Sequence, residues 1–219
     1  MERLIVLDTE TTGLDVDSGH KIIEIGCIEI IDRNITDNSF HKYINPQRLI
    51  DEKAYEVHGI SNDDLKDKPI FEDIIDEFAL YISDSPLIIH NAPFDLGFLK
   101  SEYVQSNHDE ASLENSREII DTLKIARKAS PGKRNTLDAL CSRYSVDNTD
   151  RSLHGALLDA QLLANVYLRM TQGQTLIKGL SEAHVDKNHD TNTITENRKA
   201  KIIYADTQEI EEHENYFKN

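Results

Sequence analysis

A chain of 219 residues with 38% apolar content has room for one domain and an extension. Its net charge of −16 excludes a protein that grips nucleic acid by bulk electrostatics, so a nucleic-acid ligand would need cations or a partner subunit to offset the repulsion. No stretch approaches the ~20 apolar residues of a membrane span, no basic leader precedes an apolar run, and Cys27 and Cys141 fall on apolar patterns as buried free thiols; a cytoplasmic setting without a membrane partner is expected.

Leu4–Leu7 is an apolar run bounded by charge and reads as a short buried strand. Ile22 to Ile31 reads as a long strand in which Gly26 permits a bulge or a close approach. Ser39 to Ile44 makes a third, more exposed strand, and the three suggest an antiparallel meander. The period then changes: Phe71, Ile74, Ile75, Phe78, Ala79 and Ile82 follow helical spacing. Leu87–Ile89 is a buried strand, Pro93 sits at the first position of a following helix, and Glu118–Ile120 is a fifth strand. Asn135 caps a helix with Leu137, Leu140, Cys141 and Tyr144 on its apolar stripe, and Gly155 to Met170 is the last helix of the body. Three strands followed by alternating helices and strands give an α/β fold, a mixed sheet with helices packed on it. Beyond Thr171 the composition turns polar. Residues 1–172 are therefore expected to form the folded domain, 173–199 a flexible linker and 200–219 a partner-binding tail around Ile202-Ile203-Tyr204.

Asp8 and Glu10 lie two residues apart at the end of the first strand, so their carboxylates share one face. Such a pair suits either a solvated strand edge or a hard divalent cation. Asp95, in the first turn of its helix, either complements the helix dipole or joins a site beside neighbouring strand ends. Asp159 reads as a mid-helix acid flanking an apolar stripe, a placement that asks for a reason. His154 precedes it by five residues, ~140° away on a continuous helix; the two can share a ligand only if His154 lies in the loop before Gly155.

Asp8-Thr9-Glu10-Thr11-Thr12-Gly13, His90-Asn91-Ala92-Pro93-Phe94-Asp95 and His154-Gly155-Ala156-Leu157-Leu158-Asp159 resemble, in order, the three motifs of the DEDDh family of 3′→5′ exonucleases. Lys21–Gly26, Val57–Ile60 and Pro131–Cys141 resemble in particular the branch that proofreads for the bacterial replicative enzyme, DNA polymerase III. The likeness runs from Leu4 to Met170 and returns weakly between Lys201 and Phe217.

The resemblance implies a ribonuclease H-like fold and release of 5′-mononucleotides from DNA 3′ ends. It implies two cations, Mg²⁺ or Mn²⁺, held by Asp8, Glu10, Asp95 and Asp159, with Asp8 bridging them. His154 would be the general base, and Asp8, Thr9, Glu10, Thr11, His58, Phe94 and Asp159 would contact the terminal nucleotide. The tail would bind the polymerase alpha subunit. Two positions depart from the pattern. Lys53 stands where an acidic contact to the terminal nucleotide is usual, and Gly179 replaces an aromatic residue in Gln174–Leu180, the segment matching a sliding-clamp peptide, so clamp binding should be weak. An RNA-trimming relative and a subunit with a lapsed site are the competing readings; the tail disfavours the first and the complete acidic set the second. Finally, Lys124, Arg127, Lys128, Lys133 and Arg134 form a basic island with no acidic residue between Thr122 and Leu137. It is either a solvated face or a phosphate contact for the strand.

Overall fold

In the computed structural model, which describes residues 2–149 and 151–172, strand β1 (Arg3–Thr11) occupies the middle of a five-stranded sheet of order β3-β2-β1-β4-β5. β2 (Ile22–Ile31) and β3 (Asn34–Tyr43) extend it on one side as the expected antiparallel meander. β4 (Leu87–Ile89) and β5 (Ile119–Asp121) extend it on the other side, parallel to β1. β1 runs on through the two acidic residues, because its backbone pairing with β2 continues until a register shift between Glu10 and Thr11. β3 starts five residues before the expected Ser39 and ends at Tyr43, since its polar outer half pairs with β2 as well as the apolar half does.

Residues alternate across β1, and the alternation assigns the two cores. Ile5 and Leu7 pack with Phe71, Ile74 and Phe78 of α3 (Phe71–Ile82) and with Leu96 and Leu99 of α4 (Ala92–Gln105). Leu4 and Val6 face the opposite side and meet Leu140 and Cys141 of α7 (Leu137–Tyr144) with Leu162 and Leu163 of α8 (Ala156–Met170). Both cysteines are buried free thiols. Among the described residues no helix is long and apolar enough to cross a membrane.

Smaller elements complete the body: helices α1 (Glu52–His58), α2 (Asn62–Leu65), α5 (Ser112–Asn115) and α6 (Thr122–Ala129). The sequence pattern does not mark these four, which are too short or too polar for a clear apolar stripe. Several boundaries move by one residue. Pro93 takes the second helical position, behind Ala92, because Asn91 forms the cap in a left-handed conformation (φ 66°). Thr136, rather than Asn135, caps α7 with its hydroxyl on the Ala139 N–H. Asn135 instead accepts from Arg143 and donates to the Lys133 carbonyl. β5 begins at Ile119 and includes Asp121, whose carboxylate caps the next helix.

Gly26 serves a close approach, as expected. A Cβ there would collide with the backbone of Ala156 and Leu157, so α8 lies directly on β2. The tail and linker, including the segments read as polymerase- and clamp-binding, lie outside the described residues.

Candidate active site

Because β1, β4 and β5 are parallel, their carboxyl ends open on one edge of the sheet, the end where α/β folds place their ligands. A cleft of about 730 Å³ lies there, lined by Asp8, Thr9, Glu10, Phe94, Asp95, Arg151, His154 and Asp159 among others. The alternation of β1 carries into it. Asp8 and Glu10 share the parity of Leu4 and Val6, which face the α8 side, whereas Thr9 reaches the α4 side and donates its hydroxyl to the Asp95 carboxylate at 2.7 Å.

Asp95 sits in the first turn of α4 and is buried. Asp159 is not mid-helix as read from the sequence. It lies in the first turn of α8, because the helix begins only at Ala156. Gly155 has no side chain with which to cap that helix. Glu24 on β2, buried, accepts the Ala156 N–H at 3.1 Å instead, and its other oxygen accepts from His41 at 2.6 Å. This carboxylate fixes the start of the helix that bears Asp159. His154 lies outside α8, as its offset from Asp159 requires, with its N–H donated to the Val57 carbonyl at 3.1 Å and its ring exposed.

Burial raises three of the carboxyl groups, and neighbouring acids add to the effect at Asp8 and Glu10. Asp8 is pushed well above the usual carboxylate range, first by burial and then by Asp95, Glu10 and Asp159. Glu10 rises to about 8 through burial, Asp159 and Glu24, and Asp95 to about 7 through burial. His154 is lowered by burial and then by the Arg151 guanidinium. Packed carboxyls of this kind hold protons or require a cation. Ligand atoms of Glu10, His154 and Asp159 lie within 4.8 Å of one another, and the carboxylate oxygens of Glu10 and Asp159, with Asp8 and Asp95 lining the same cleft, suit hard divalent ions. The residues present therefore fit a divalent-metal site.

Thr11 and His58 do not line the cleft. Thr11 is buried with its hydroxyl on the Gly13 carbonyl, and His58 is buried with Nδ1 accepting from Ile60. His58 Nε2 has no hydrogen-bond partner among the described residues. Lys53 is exposed on the first helix.

The basic island enters the cleft through Arg127, Lys133 and Arg134, all exposed and without side-chain partners among the described residues. Arg143 braces their loop, donating to the Arg134 carbonyl at 2.5 Å and to Asn135 at 2.8 Å.

Arg151 and Asp138 also line the cleft, and sequence reasoning passed over both. Arg151 reads as one polar residue in a polar loop, and only its position three residues before His154 offered a hint.

A mixed sheet of this order, with acidic side chains gathered at the end of its central strand, is the architecture of the 3′→5′ exonucleases. The chain belongs to that family, its residues 5–167 matching the RNase T-type exonuclease model. More particularly, it is similar to proteins named DNA polymerase III subunit epsilon. Those of Salmonella typhimurium and Escherichia coli K12 are each 47% identical over 220 residues, 97% of this chain and 90% of theirs. That of Buchnera aphidicola from Schizaphis graminum is 49% identical over 224 residues, 99% of this chain and 96% of its own. Among solved structures, exonuclease X in complex with 5′-overhanging duplex DNA superposes with a TM-score of 0.62 at 28% identity, covering 78% of this chain and 93% of that one.

Proposed function

We propose that this chain proofreads DNA as a subunit of the replicative DNA polymerase III in the cytoplasm, removing 5′-mononucleotides from 3′ ends. In this reading Asp8, Glu10, Asp95 and Asp159 hold two divalent cations, Mg²⁺ or Mn²⁺, and His154 is the general base. The observation that carries it is the meeting, in one cleft, of three carboxyls raised chiefly by burial with Asp159 and a histidine poised in a loop. Bound there, the cations supply activation of the attacking water and stabilisation of the leaving 3′-oxygen.

The chain's own residues do the rest. The Thr9 hydroxyl orients Asp95. The His154 imidazole takes the proton of the attacking water, a task suited to the side chain that titrates near neutrality. Phe94, on the cleft wall, offers an aromatic surface to the terminal nucleotide. His58 is assigned to the terminal nucleotide by the family resemblance alone, since it is buried off the cleft; its Nδ1 accepts a backbone N–H, so in the neutral ring Nε2 carries the proton. Arg127, Lys133 and Arg134 contact phosphates of the incoming strand.

Residues 200–219 dock the polymerase alpha subunit across the linker 173–199, and Gln174–Leu180 gives at most weak clamp binding. The support is the sequence likeness and the alignment with polymerase subunits over 97% of the chain. Truncation after Met170 should leave single-strand cleavage intact and remove polymerase binding, for which a Lys201–Asn219 peptide should compete.

The deciding experiment incubates purified protein with a DNA primer mismatched at its 3′ end, and in parallel with RNA. Metal-dependent release of 5′-deoxymononucleotides is expected. Cleavage in EDTA, or a preference for RNA, overturns the reading.

A further inference from the structure

Arg151 makes four polar contacts within the cleft. Its Nε and Nη2 donate to the two oxygens of Asp159, each at 2.6 Å, Nη2 also donates to His154 Nδ1 at 2.9 Å, and Nη1 donates to Asp138 at 2.7 Å. The Arg151 side chain is 6% exposed and that of Asp159 4%, whereas Asp138 is 59% exposed. Asn148 donates to the same Asp138 oxygen at 3.0 Å, which holds the acceptor in place.

Resting on the reading of Asp159 as a metal ligand, we propose that Arg151 is the resident counter-ion of the site. It is a positioning residue whose guanidinium occupies Asp159 and His154 until a divalent cation displaces it from Asp159. The geometry supports an exchange. A bidentate guanidinium engages both oxygens of a carboxylate along one edge, the edge a cation chelated by Asp159 would use. The pair is buried, so neither partner can simply turn to water, and the leaving guanidinium needs another acceptor close by. Asp138 is that acceptor: it is already bonded through Nη1, which need not move.

The same contact restrains the base. Arginine only donates, so His154 Nδ1 is the acceptor and the neutral ring carries its proton on Nε2. While Nη2 stays in place, the Nδ1 lone pair is occupied. Nη2 serves both Asp159 and His154 Nδ1, so its departure from Asp159 also disturbs the contact that orients the His154 ring.

An orienting arginine that stays on a loaded Asp159 would strengthen metal binding. A counter-ion that must be displaced weakens it. Calorimetric titration of the full chain with Mn²⁺ separates the two. R151Q should bind Mn²⁺ about tenfold more tightly than wild type, because a buried positive charge beside the ion is removed, and should melt at a lower temperature in EDTA, because a buried carboxylate loses its partner. R151K, which keeps the charge and loses the fork, should fall between the two in affinity. In the wild type, where folding is not in question, the Arg151 Nε–H resonance should shift and lose protection from solvent exchange as Mg²⁺ is added. Affinity in R151Q equal to or weaker than wild type, or an Arg151 resonance unmoved at saturating Mg²⁺, overturns the exchange. D159N reports on the underlying reading. If it binds Mn²⁺ as wild type does, Asp159 is not a ligand and the exchange falls with it. If D159N is impaired while R151Q binds no more tightly, the ligand assignment stands and the exchange alone is lost.

Discussion

On the floor of the cleft, Asp95 and Asp159 are buried at the starts of helices, Glu10 is buried on the central strand beside Asp8, and three of these four carboxyls are raised in pKa. On its lip, Arg127, Lys133 and Arg134 are exposed, unpaired among the described residues, and carried by a short helix and a braced loop. In the proposed function the difference is one of task. Breaking a phosphodiester requires charges fixed to within about half an ångström, which strands and helix starts provide at the cost of desolvation. Guiding a flexible, charged strand requires charges that act over several ångströms and adapt. In a chain with a net charge of −16, these three exposed basic side chains stand beside the cleft where the substrate would pass.

The comparison breaks first at the floor. D8A should reduce 3′→5′ cleavage below detection in a primer-degradation assay, since Asp8 lies at the centre of the carboxyl cluster and feels the other three acids; normal turnover would dissociate the cluster from the chemistry. H154A should fold and bind metal normally yet lose ~10²–10⁴-fold in kcat. The acidic limb of the wild-type rate–pH profile should vanish in the variant. A loss below tenfold would return proton removal to bulk solvent.

The lip should respond differently. K133A combined with R134A should raise KM several-fold with kcat nearly unchanged, and should reduce the slope of log(kcat/KM) against log[salt] by roughly 1–2. A drop in kcat with KM constant would place these residues in the chemistry and erase the distinction.

The smallest effect is on stability. Asp95 and Glu10 have folded-state pKa values of about 7 and about 8, above those of the unfolded chain, so the folded protein binds more protons between roughly pH 4 and 8. Their contribution is fully present at low pH and is lost as pH rises through 7 to 8. In EDTA the melting temperature should therefore fall between pH 5 and pH 8.5, by about 2–4 °C per kcal/mol lost. Saturating Mn²⁺ should flatten the slope by holding the ionised forms. An unchanged slope with metal would mean that the ion binds elsewhere.

Much of this architecture was legible in the chain. Phe71–Ile82 has its expected bounds because its apolar period is unbroken, and β2 likewise because it is apolar almost throughout. The helix over Thr122–Ala129 escaped notice because its eight residues carry three basic side chains and only the buried Ala126 and Thr122 face the core; the sequence read it as charge rather than structure. In the site, the acids and His154 are recognisable from local motifs. Arg151 is not, because its partners Asp138 and Asp159 lie on different helices, 13 and 8 residues away, and nothing local pairs them. Glu24 interrupts an apolar strand without local cause; its reason, the start of α8, stands 132 residues further on.

That last span orders events during synthesis. The meander of β1, β2 and β3 pairs neighbours in sequence and can form early, whereas closing a long loop is slow and comes late. Asp8 and Glu10 leave the ribosome first, and Asp159 waits for a helix whose seat, at Gly26 and Glu24, is already built. In the proposed reading a nascent chain carries three of the four acids, Asp8, Glu10 and Asp95, before the helix that brings Asp159 can dock, so the cleft is the last part of the body to be completed.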